Sequence, residues 1–236
     1  DGKYNLAMGE NHFLTLGLDY RDETMESESA AIERLGIDGD AFDNSDLGLY
    51  IQDVWTPTDD IEVSMALRLD QIEVDFTEQG NDAEIDETMI VPRVHVRWDH
   101  NANWTSRISA GLGYRAPTAF FESEHGIIGP DGFTVAIDDL EKSTSAGYAL
   151  SFESQRLTST ASFSWASVEN LAYVDDSGTT LTLRNSDQDG TVTTFDILAG
   201  YQITPSWTIN GGIELFNYDD TYKATFGVAP IEQRTR

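Results

Sequence analysis

The chain has 236 residues, no cysteine, and 42 acidic against 14 basic side chains, which gives a formal net charge of −28. A chain of this length forms one β-barrel or one to two soluble domains. The lack of cysteine excludes disulfides, thiolate metal sites and a cysteine nucleophile, and the deficit of Lys and Arg excludes nucleic-acid binding through a basic surface. No apolar run reaches the roughly 20 residues of a membrane-spanning helix.

The first patterned stretch, residues 12–23, places Leu14, Leu16 and Leu18 on one face and polar side chains on the other. A period of two predicts a β-strand with one apolar and one polar face. The same alternation recurs, so we expect about ten to eleven strands in all. In chain order, the predicted strands cover residues 12–23, 47–55, 61–76, 89–99, 104–115, 143–153, 157–166, 191–203 and 207–215, with a further strand beginning near residue 230.

Two segments interrupt this order. Residues 25–45 form a long acidic loop in which Asp38, Asp40 and Asp43 are closely spaced. They resemble a calcium loop in composition, although the spacing and the closing Glu of an EF-hand are missing, so calcium in the acidic loops is a candidate beside an ordinary solvated surface. Residues 171–174 and 180–183 are two short apolar runs on either side of a turn, and we expect them to form a hairpin that lies outside the membrane.

The apolar phase of the strand at residues 61–76 slips near Asp70 and Gln71 and resumes at Ile72. A one-residue slip moves every later side chain to the opposite face. We therefore expect either a β-bulge at this point or a strand that leaves the membrane here.

The strand at residues 104–115 carries Trp104 at one end of its apolar face and Tyr114 at the other, roughly ten residues apart. A strand of that length crosses a bilayer, and aromatic side chains at both ends suit its two interfaces. The predicted apolar face therefore contacts lipid and the polar face lines a lumen. Tryptophans beside short turns are the expected interface anchors, namely Trp55, Trp98, Trp104, Trp165 and Trp207.

The connections also alternate in kind. Those at Pro57, Asn101, Gln155 and Pro205 are short, whereas those near residues 35, 82, 128 and 224 are long and acidic or glycine-bearing. Outer-membrane barrels have short turns on one side and long loops on the other. The predicted fold is therefore an all-β transmembrane antiparallel β-barrel in the bacterial outer membrane, with lipid as its surrounding partner.

Four arginines fall on the predicted lumen wall: Arg68, Arg93, Arg97 and Arg107. They either contact a solute or an inner domain, or they neutralise Glu62, Asp70 and Asp99 across neighbouring strands, which stabilises a sheet by about 0.2–1 kcal/mol a pair. We favour neutralisation.

Several segments resemble TonB-dependent outer-membrane receptors. Residues 46–60, DLGLYIQDVWTPTDD, resemble the LYxQDxW strand and turn of that family, and residues 112–118, LGYRAPT, resemble its GFRAPT segment, with PRV at residues 92–94 before them. Residues 140–143, LEKS, look like its LxPExS without the proline, and residues 12–21 look like its TxGxEYR strand. These matches cover about residues 10–155 in the family's order.

The resemblance implies a barrel of about 22 strands with an N-terminal plug domain. It also implies uptake of a scarce solute, such as a ferric siderophore or cobalamin, with the TonB complex acting through the plug. We expect residues 1–236 to form a segment of such a barrel, without the plug domain and the C-terminal strands. Solute-contacting side chains would lie on the long loops and upper wall: Arg115, Phe120, Phe121, Glu122, His125, Tyr173 and Tyr222.

The alternative for Arg115 is an ion pair with an acidic wall residue. The alternatives for the whole chain are a complete smaller barrel that acts as a porin-like channel or structural sleeve, and a soluble all-β binding protein. A complete barrel would close between strands near residues 15 and 213. Catalysis has little support, because the chain has no G-x-S-x-G, H-E-x-x-H or P-loop motif.

Overall fold

The computed structural model describes residues 1–25, 42–76, 83–117, 133–175, 181–219 and 233–235. These residues form fourteen strands. They are β1 (Gly2–Met8), β2 (His12–Met25), β3 (Phe42–Thr58), β4 (Ile61–Asp75), β5 (Glu84–Asp99), β6 (Trp104–Arg115), β7 (Phe133–Ala136), β8 (Glu141–Glu153), β9 (Leu157–Glu169), β10 (Ala172–Asp175), β11 (Leu181–Asn185), β12 (Gly190–Thr204), β13 (Trp207–Tyr218) and β14 (Gln233–Thr235).

Eleven of the strands form one antiparallel sheet in the order β1-β2-β3-β4-β5-β6-β8-β9-β12-β13-β14. Neighbours in the sheet are therefore neighbours in the chain, apart from two excursions that supply β7 and the β10–β11 hairpin. No ladder joins β1 to β13 or β14 within the described ranges, so the sheet is an open portion of a barrel wall there. No helix long and apolar enough to span a bilayer occurs in the part of the chain that the structure describes.

One face of the sheet is apolar and exposed. Leu16, Ile51 and Leu67 stand in one row across β2, β3 and β4 and are each more than 40% exposed. A soluble protein rarely exposes a continuous apolar surface of this size. Leu112 and Ile209, whose burial under a second sheet would argue against a membrane protein, are also exposed. The alternation predicted from the sequence therefore describes a wall with one exposed apolar face and one polar face.

The opposite face is polar up to Asp70 and apolar beyond it. The registers of β3 with β4 and of β4 with β5 continue without a shift through Asp70 and Gln71. The predicted β-bulge at this point is therefore wrong, and the apolar residues change faces because the inner side of the sheet is covered above Asp70. The covered cluster consists of Phe42, Ile72, Val74, Phe76, Ile85, Val135, Ile137, Leu140, Ala172 and Leu183.

The cover is a three-stranded sheet in the order β10-β11-β7. The predicted hairpin is confirmed as the antiparallel pair of β10 and β11. Its parallel pairing with β7 was not predicted, because four residues of strand inside a glycine-bearing loop leave no periodic signal. The predictions also missed β1, although its Tyr4, Leu6 and Met8 alternate and pair with the apolar face of β2.

Candidate functional site on the polar face of the sheet

The polar face carries an ion cluster centred on Arg68 of β4. Its guanidinium crosses β3 at Gly48 and reaches Asp19 of β2, with Nη1 2.9 Å from Oδ1 and Nη2 3.0 Å from Oδ2. A Cβ atom on Gly48 would lie 2.3 Å from Nη2 of Arg68. The glycine on the intervening strand therefore leaves room for this bidentate contact, which fixes the direction of the guanidinium.

Two further carboxylates surround the same guanidinium. Nε of Arg68 lies 2.5 Å from Oδ1 of Asp70, which is fully buried, and Nη2 lies 3.9 Å from Oδ2 of Asp46. The hydroxyl of Tyr114 donates to the same Asp46 oxygen at 3.4 Å. With three carboxylates against one cation, the cluster holds a surplus of negative charge and fixes the inner wall just below the buried apolar cluster.

Long polar side chains lie flat against this wall because glycines stand beside them. The Tyr50 ring lies across Gly17, and the stem of Arg93 lies across Gly111, where a Cβ atom would be 2.0 Å and 2.8 Å from the nearest side-chain atom. Both glycines are the direct cross-strand partners of the residues that cover them. In these pairs the long side chain lies along the sheet and does not project from the polar face.

Nearer the short turns, the wall carries Arg93, His95, Arg97 and Arg107, which we call the arginine track. Nη2 of Arg97 pairs with Oδ2 of Asp99 at 2.8 Å. Arg107 stands directly opposite Arg97 and donates to Oγ of Ser151 at 3.3 Å.

Arg93 donates through Nε to the Leu112 carbonyl at 3.4 Å. Arg68 and Arg97 are therefore neutralised, but Asp70 and Asp99 pair with an arginine of their own strand and not across neighbouring strands as predicted.

The carboxylates that reach Arg68 from other strands are Asp19 and Asp46, and Glu62 forms no ion pair with a described residue. Among the described residues, Arg93 and Arg107 have no carboxylate within ion-pair distance.

Open grooves run along this track. Arg97 and Arg107 line one groove of about 650 Å³ and a second of about 440 Å³, and His95 joins the second to a smaller one that includes Arg93. Their lining also includes serine and threonine hydroxyls from β6, β8 and β9 and the carboxylates of Glu62 and Glu153, beside apolar and glycine positions. The track therefore lies along neighbouring open grooves rather than in a single closed pocket.

The long-loop end is fixed by carboxylates of β5 and β8, of which Glu141 connects the two sheets. Glu87 of β5 accepts from the Leu140 amide at 3.0 Å and pairs with Lys142 Nζ at 2.6 Å. Glu141 accepts from the Ala172 amide at 2.9 Å and from Nε of Arg115 at 2.5 Å. Arg115 therefore has the acidic partner that the alternative interpretation expected.

The other predicted site residues are dispersed. Tyr173 lies on β10, partly buried and opposite Arg184, away from the arginine track. Asp43 is exposed on β3, and the described ranges contain no group of three or more acidic or histidine side chains arranged to hold a metal. The remaining predicted residues lie outside the described part of the chain: Asp38, Asp40, Phe120, Phe121, Glu122, His125 and Tyr222.

The expected aromatic anchors need two corrections. Trp55, Trp98, Trp104 and Trp207 are exposed beside short turns, as expected. Trp165 lies eight residues along β9 from the turn that precedes Leu157, so its placement beside a short turn is wrong.

Tyr114 does not mark the second membrane interface either. Its hydroxyl contacts Asp46 of the inner ion cluster and its ring packs against the buried apolar cluster.

Sequence reasoning missed two members of the ion cluster, Asp19 and Asp46. Alternation places both on the polar face, together with Gly17 and Gly48. A glycine on the polar face, opposite an acidic residue of the neighbouring strand, could have indicated the ion cluster. Recognising that pair requires the register between the strands, which the sequence alone does not provide.

Comparisons with known proteins agree with this architecture. The family described as "TonB dependent receptor-like, beta-barrel" matches residues 1–233. The FrpB iron transporter from Neisseria meningitidis (F3-3 variant) is 15% identical, with 95% of this chain and 36% of that chain covered and a TM-score of 0.69. The alcaligin outer-membrane receptor FauA from Bordetella pertussis is 16% identical, with 99% and 40% covered and a TM-score of 0.67.

The siderophore receptor PirA from Pseudomonas aeruginosa is 13% identical, with 92% and 39% covered and a TM-score of 0.68. At such identities the likeness shows the fold alone, and the chain spans at most about two fifths of the length of these structures. A comparison with curated proteins finds no match. The outward apolar face, the polar inner face and the family match over residues 1–233 together show that the chain belongs to the TonB-dependent receptors of the bacterial outer membrane, as part of their β-barrel.

Proposed function

We propose that the protein to which this barrel portion belongs takes up a scarce solute across the outer membrane, with an iron chelate such as a ferric siderophore as the leading class and cobalamin as the next. The observation that carries the proposal is the family match over residues 1–233 on a sheet with an apolar outer and a polar inner face. Three similar structures are those of an iron transporter, an alcaligin receptor and a siderophore receptor, which favours iron.

The polar wall supports this role physically. The glycine-backed side chains of Tyr50, Arg68 and Arg93 lie along the inner wall and present polar groups to a solute there. Energy for release would come from the TonB complex acting through a plug domain, which the family resemblance implies. A porin-like channel or sleeve has less support, because the sheet does not close on itself within the described residues.

Solute contact at the long-loop end remains a proposal for Tyr173 and for the predicted residues outside the described ranges. The ion pair of Arg115 with the buried Glu141 supports a different role for Arg115, that of holding β8 and β10 in place beside the mouth. Calcium in the acidic loops remains a prediction as well.

The test is a transport assay on the full-length receptor in its native outer membrane. A strain without the gene is compared with the same strain after complementation, with a panel of radiolabelled ferric siderophores, cobalamin and an uncharged sugar of similar mass. We expect saturable uptake of one iron chelate that stops when the proton-motive force is collapsed or TonB is removed. Equal, unsaturable flux of all solutes that is independent of TonB would contradict the proposal and favour a passive pore.

A further inference from the structure

The ladder between β5 and β6 ends before either strand does. Its last pair is Arg93 with Gly111, whereas β5 continues to Glu84 and β6 to Arg115. The ladders of β5 with β4 and of β6 with β8 continue to those ends. Within the described residues, the wall therefore contains a seam between β5 and β6 that starts beyond Arg93 and runs toward the long-loop end.

The direction of the backbone groups explains where the ladder ends. The amide of Asp99 donates toward β4, to the Asp60 carbonyl at 2.8 Å, and the amide of His100 donates toward β6, to the Trp104 carbonyl at 2.9 Å. Because backbone groups alternate in direction along a strand, the even-numbered residues of β5 face β6. Pro92 is the first even-numbered residue beyond the last pair, and it has no N–H to donate.

Arg93 supplies the donor that Pro92 lacks. A continued register would pair Pro92 with Leu112, whose carbonyl would then receive no backbone donor. Instead, Nε of Arg93 donates to this carbonyl at 3.4 Å. The Arg93 side chain reaches it by lying across Gly111, with Nη2 beside Gly113, where a Cβ atom would be 4.0 Å away. The arginine therefore caps the edge of β6 at the point where the seam begins.

Beyond the seam, the ends of β6 and β8 lie on the inner side of β5. Tyr114 and Lys142 are register partners at outward positions. The Tyr114 hydroxyl nevertheless donates to Asp46 at 3.4 Å, and Nζ of Lys142 pairs with Glu87 at 2.6 Å, although both carboxylates belong to the inward face of β3 and β5. The two strand ends therefore overlap the wall from inside. We call them the inner leaf: residues 112–115 and 141–144.

We infer that Pro92 and Arg93 open the wall at this seam, and that Arg93 is the positioning residue that holds the inner leaf and its cover inside the mouth. Pro92 ends the pairing, and Arg93 satisfies the carbonyl of Leu112, the first residue of the leaf. Glu141 of the leaf accepts from the Ala172 amide of the cover at 2.9 Å, so the place of the leaf sets the place of the cover. The inference goes beyond the proposed function, because it assigns the residues that shape the mouth whichever solute is taken up.

Hydrogen exchange with single-residue readout, on the full-length receptor in nanodiscs, tests the seam first. The amides of β5 that face the seam are those of Thr88 and Ile90, and the amides that face β4 are those of Met89 and Val91. We expect the first pair to exchange about tenfold faster or more, because only the second pair donates within a ladder. Equal protection of all four amides would overturn the inference, since pairing would then continue past Pro92.

Arg93→Met and Arg93→Gln separate the donor from the charge. Glutamine carries an N–H donor at the same number of bonds from Cβ as Nε of arginine, and methionine keeps the length of the stem without a donor. We expect Arg93→Met to speed exchange in the inner leaf about fivefold, the equivalent of one ordinary hydrogen bond, and Arg93→Gln to leave it near that of the unchanged receptor. Arg107→Met is the matched control, because Arg107 donates to the Ser151 hydroxyl nearer the short turns and should not affect the leaf.

Pro92→Val restores the missing backbone donor. Added to Arg93→Met, it should bring exchange in the leaf back to within about twofold of the unchanged receptor, because the new amide can donate to the Leu112 carbonyl. Equal effects of Arg93→Met and Arg93→Gln, no effect of Arg93→Met, or no recovery in the double variant would overturn the inference. Heat-modifiable gel migration verifies folding. Failure of Arg93→Met alone to fold supports the role of the donor, and failure of Arg93→Gln as well contradicts it.

Discussion

Replacement of Arg68 by methionine should destabilise the barrel by about 3 kcal/mol. The change keeps most of the apolar stem and removes the charge from among Asp19, Asp46 and Asp70. Asp70 is fully buried, and its nearest cation is Nε of Arg68 at 2.5 Å. Removal of one partner of a buried ion pair typically costs about 3–5 kcal/mol, because a buried charge is left uncompensated.

The lower end of that range applies here. The side chains of Arg68 and Asp19 are 30% and 32% exposed, so water already screens the contact between them, and a screened pair contributes about 0–1 kcal/mol. The Asp70 contact therefore accounts for most of the loss. Adding Asp70→Asn to Arg68→Met should recover about half of the lost stability, because the buried charge is then removed as well.

The assay is urea unfolding of the full-length receptor in lipid vesicles, followed by tryptophan fluorescence and gel migration. Arg184→Met is the matched control, since Arg184 and Asp175 pair at 3.1 Å with side chains 47% and 23% exposed. That change should cost less than about 1 kcal/mol. Equal losses for the two single variants, or a further loss when Asp70→Asn is added, would refute the role assigned to the ion cluster.

Three other changes test separate parts of the structure. Gly48→Ala places a methyl group 2.3 Å from the guanidinium that crosses this position and should cost about 1–3 kcal/mol in urea unfolding, whereas Gly2→Ala, with nothing within 4 Å, should cost almost nothing. Leu67→Arg on the outer face should cost about 2–4 kcal/mol in vesicles, and Gln52→Arg on the inner face should cost clearly less; equal costs would contradict the assignment of the faces. Glu141→Ala removes the acceptor of the Ala172 amide and should speed hydrogen exchange in β7, β10 and β11 while β2–β4 stay protected, and uniform protection would show that this carboxylate does not hold the two sheets together.

The sequence predicted most of the large sheet because one physical rule controls it. A strand between lipid and a polar lumen must alternate, and the nine predicted strands that correspond to β2–β6, β8, β9, β12 and β13 carry that alternation over most of their length. The short turns and long loops then gave the order of the strands and the outer-membrane setting. The family resemblance rested on local motifs, such as residues 46–60, and the match over residues 1–233 confirms it.

The rule failed where a second layer covers the wall. Ile72, Val74 and Phe76 are apolar on the inner face because β7, β10 and β11 lie over them, and the phase change suggested a bulge that does not exist. Tyr114 fits the outer pattern by position, yet its hydroxyl contacts Asp46 on the inner side. In both places the side chain packs against another part of the protein and not against water or lipid. The alternation of apolar and polar residues along one strand does not reveal such a contact.

The sequence by itself therefore determined the strands, their two faces and the membrane that surrounds them, because these follow from the spacing of apolar side chains along one chain. Only the tertiary structure decided which arginines are neutralised. Arg68 meets Asp19 because Gly48, the register partner of both Asp19 and Asp70, leaves room for the guanidinium to cross β3. Arg107 forms no ion pair in the described residues because Arg97 takes the position opposite it. Such pairings depend on the register between strands, and register is a property of the assembled sheet.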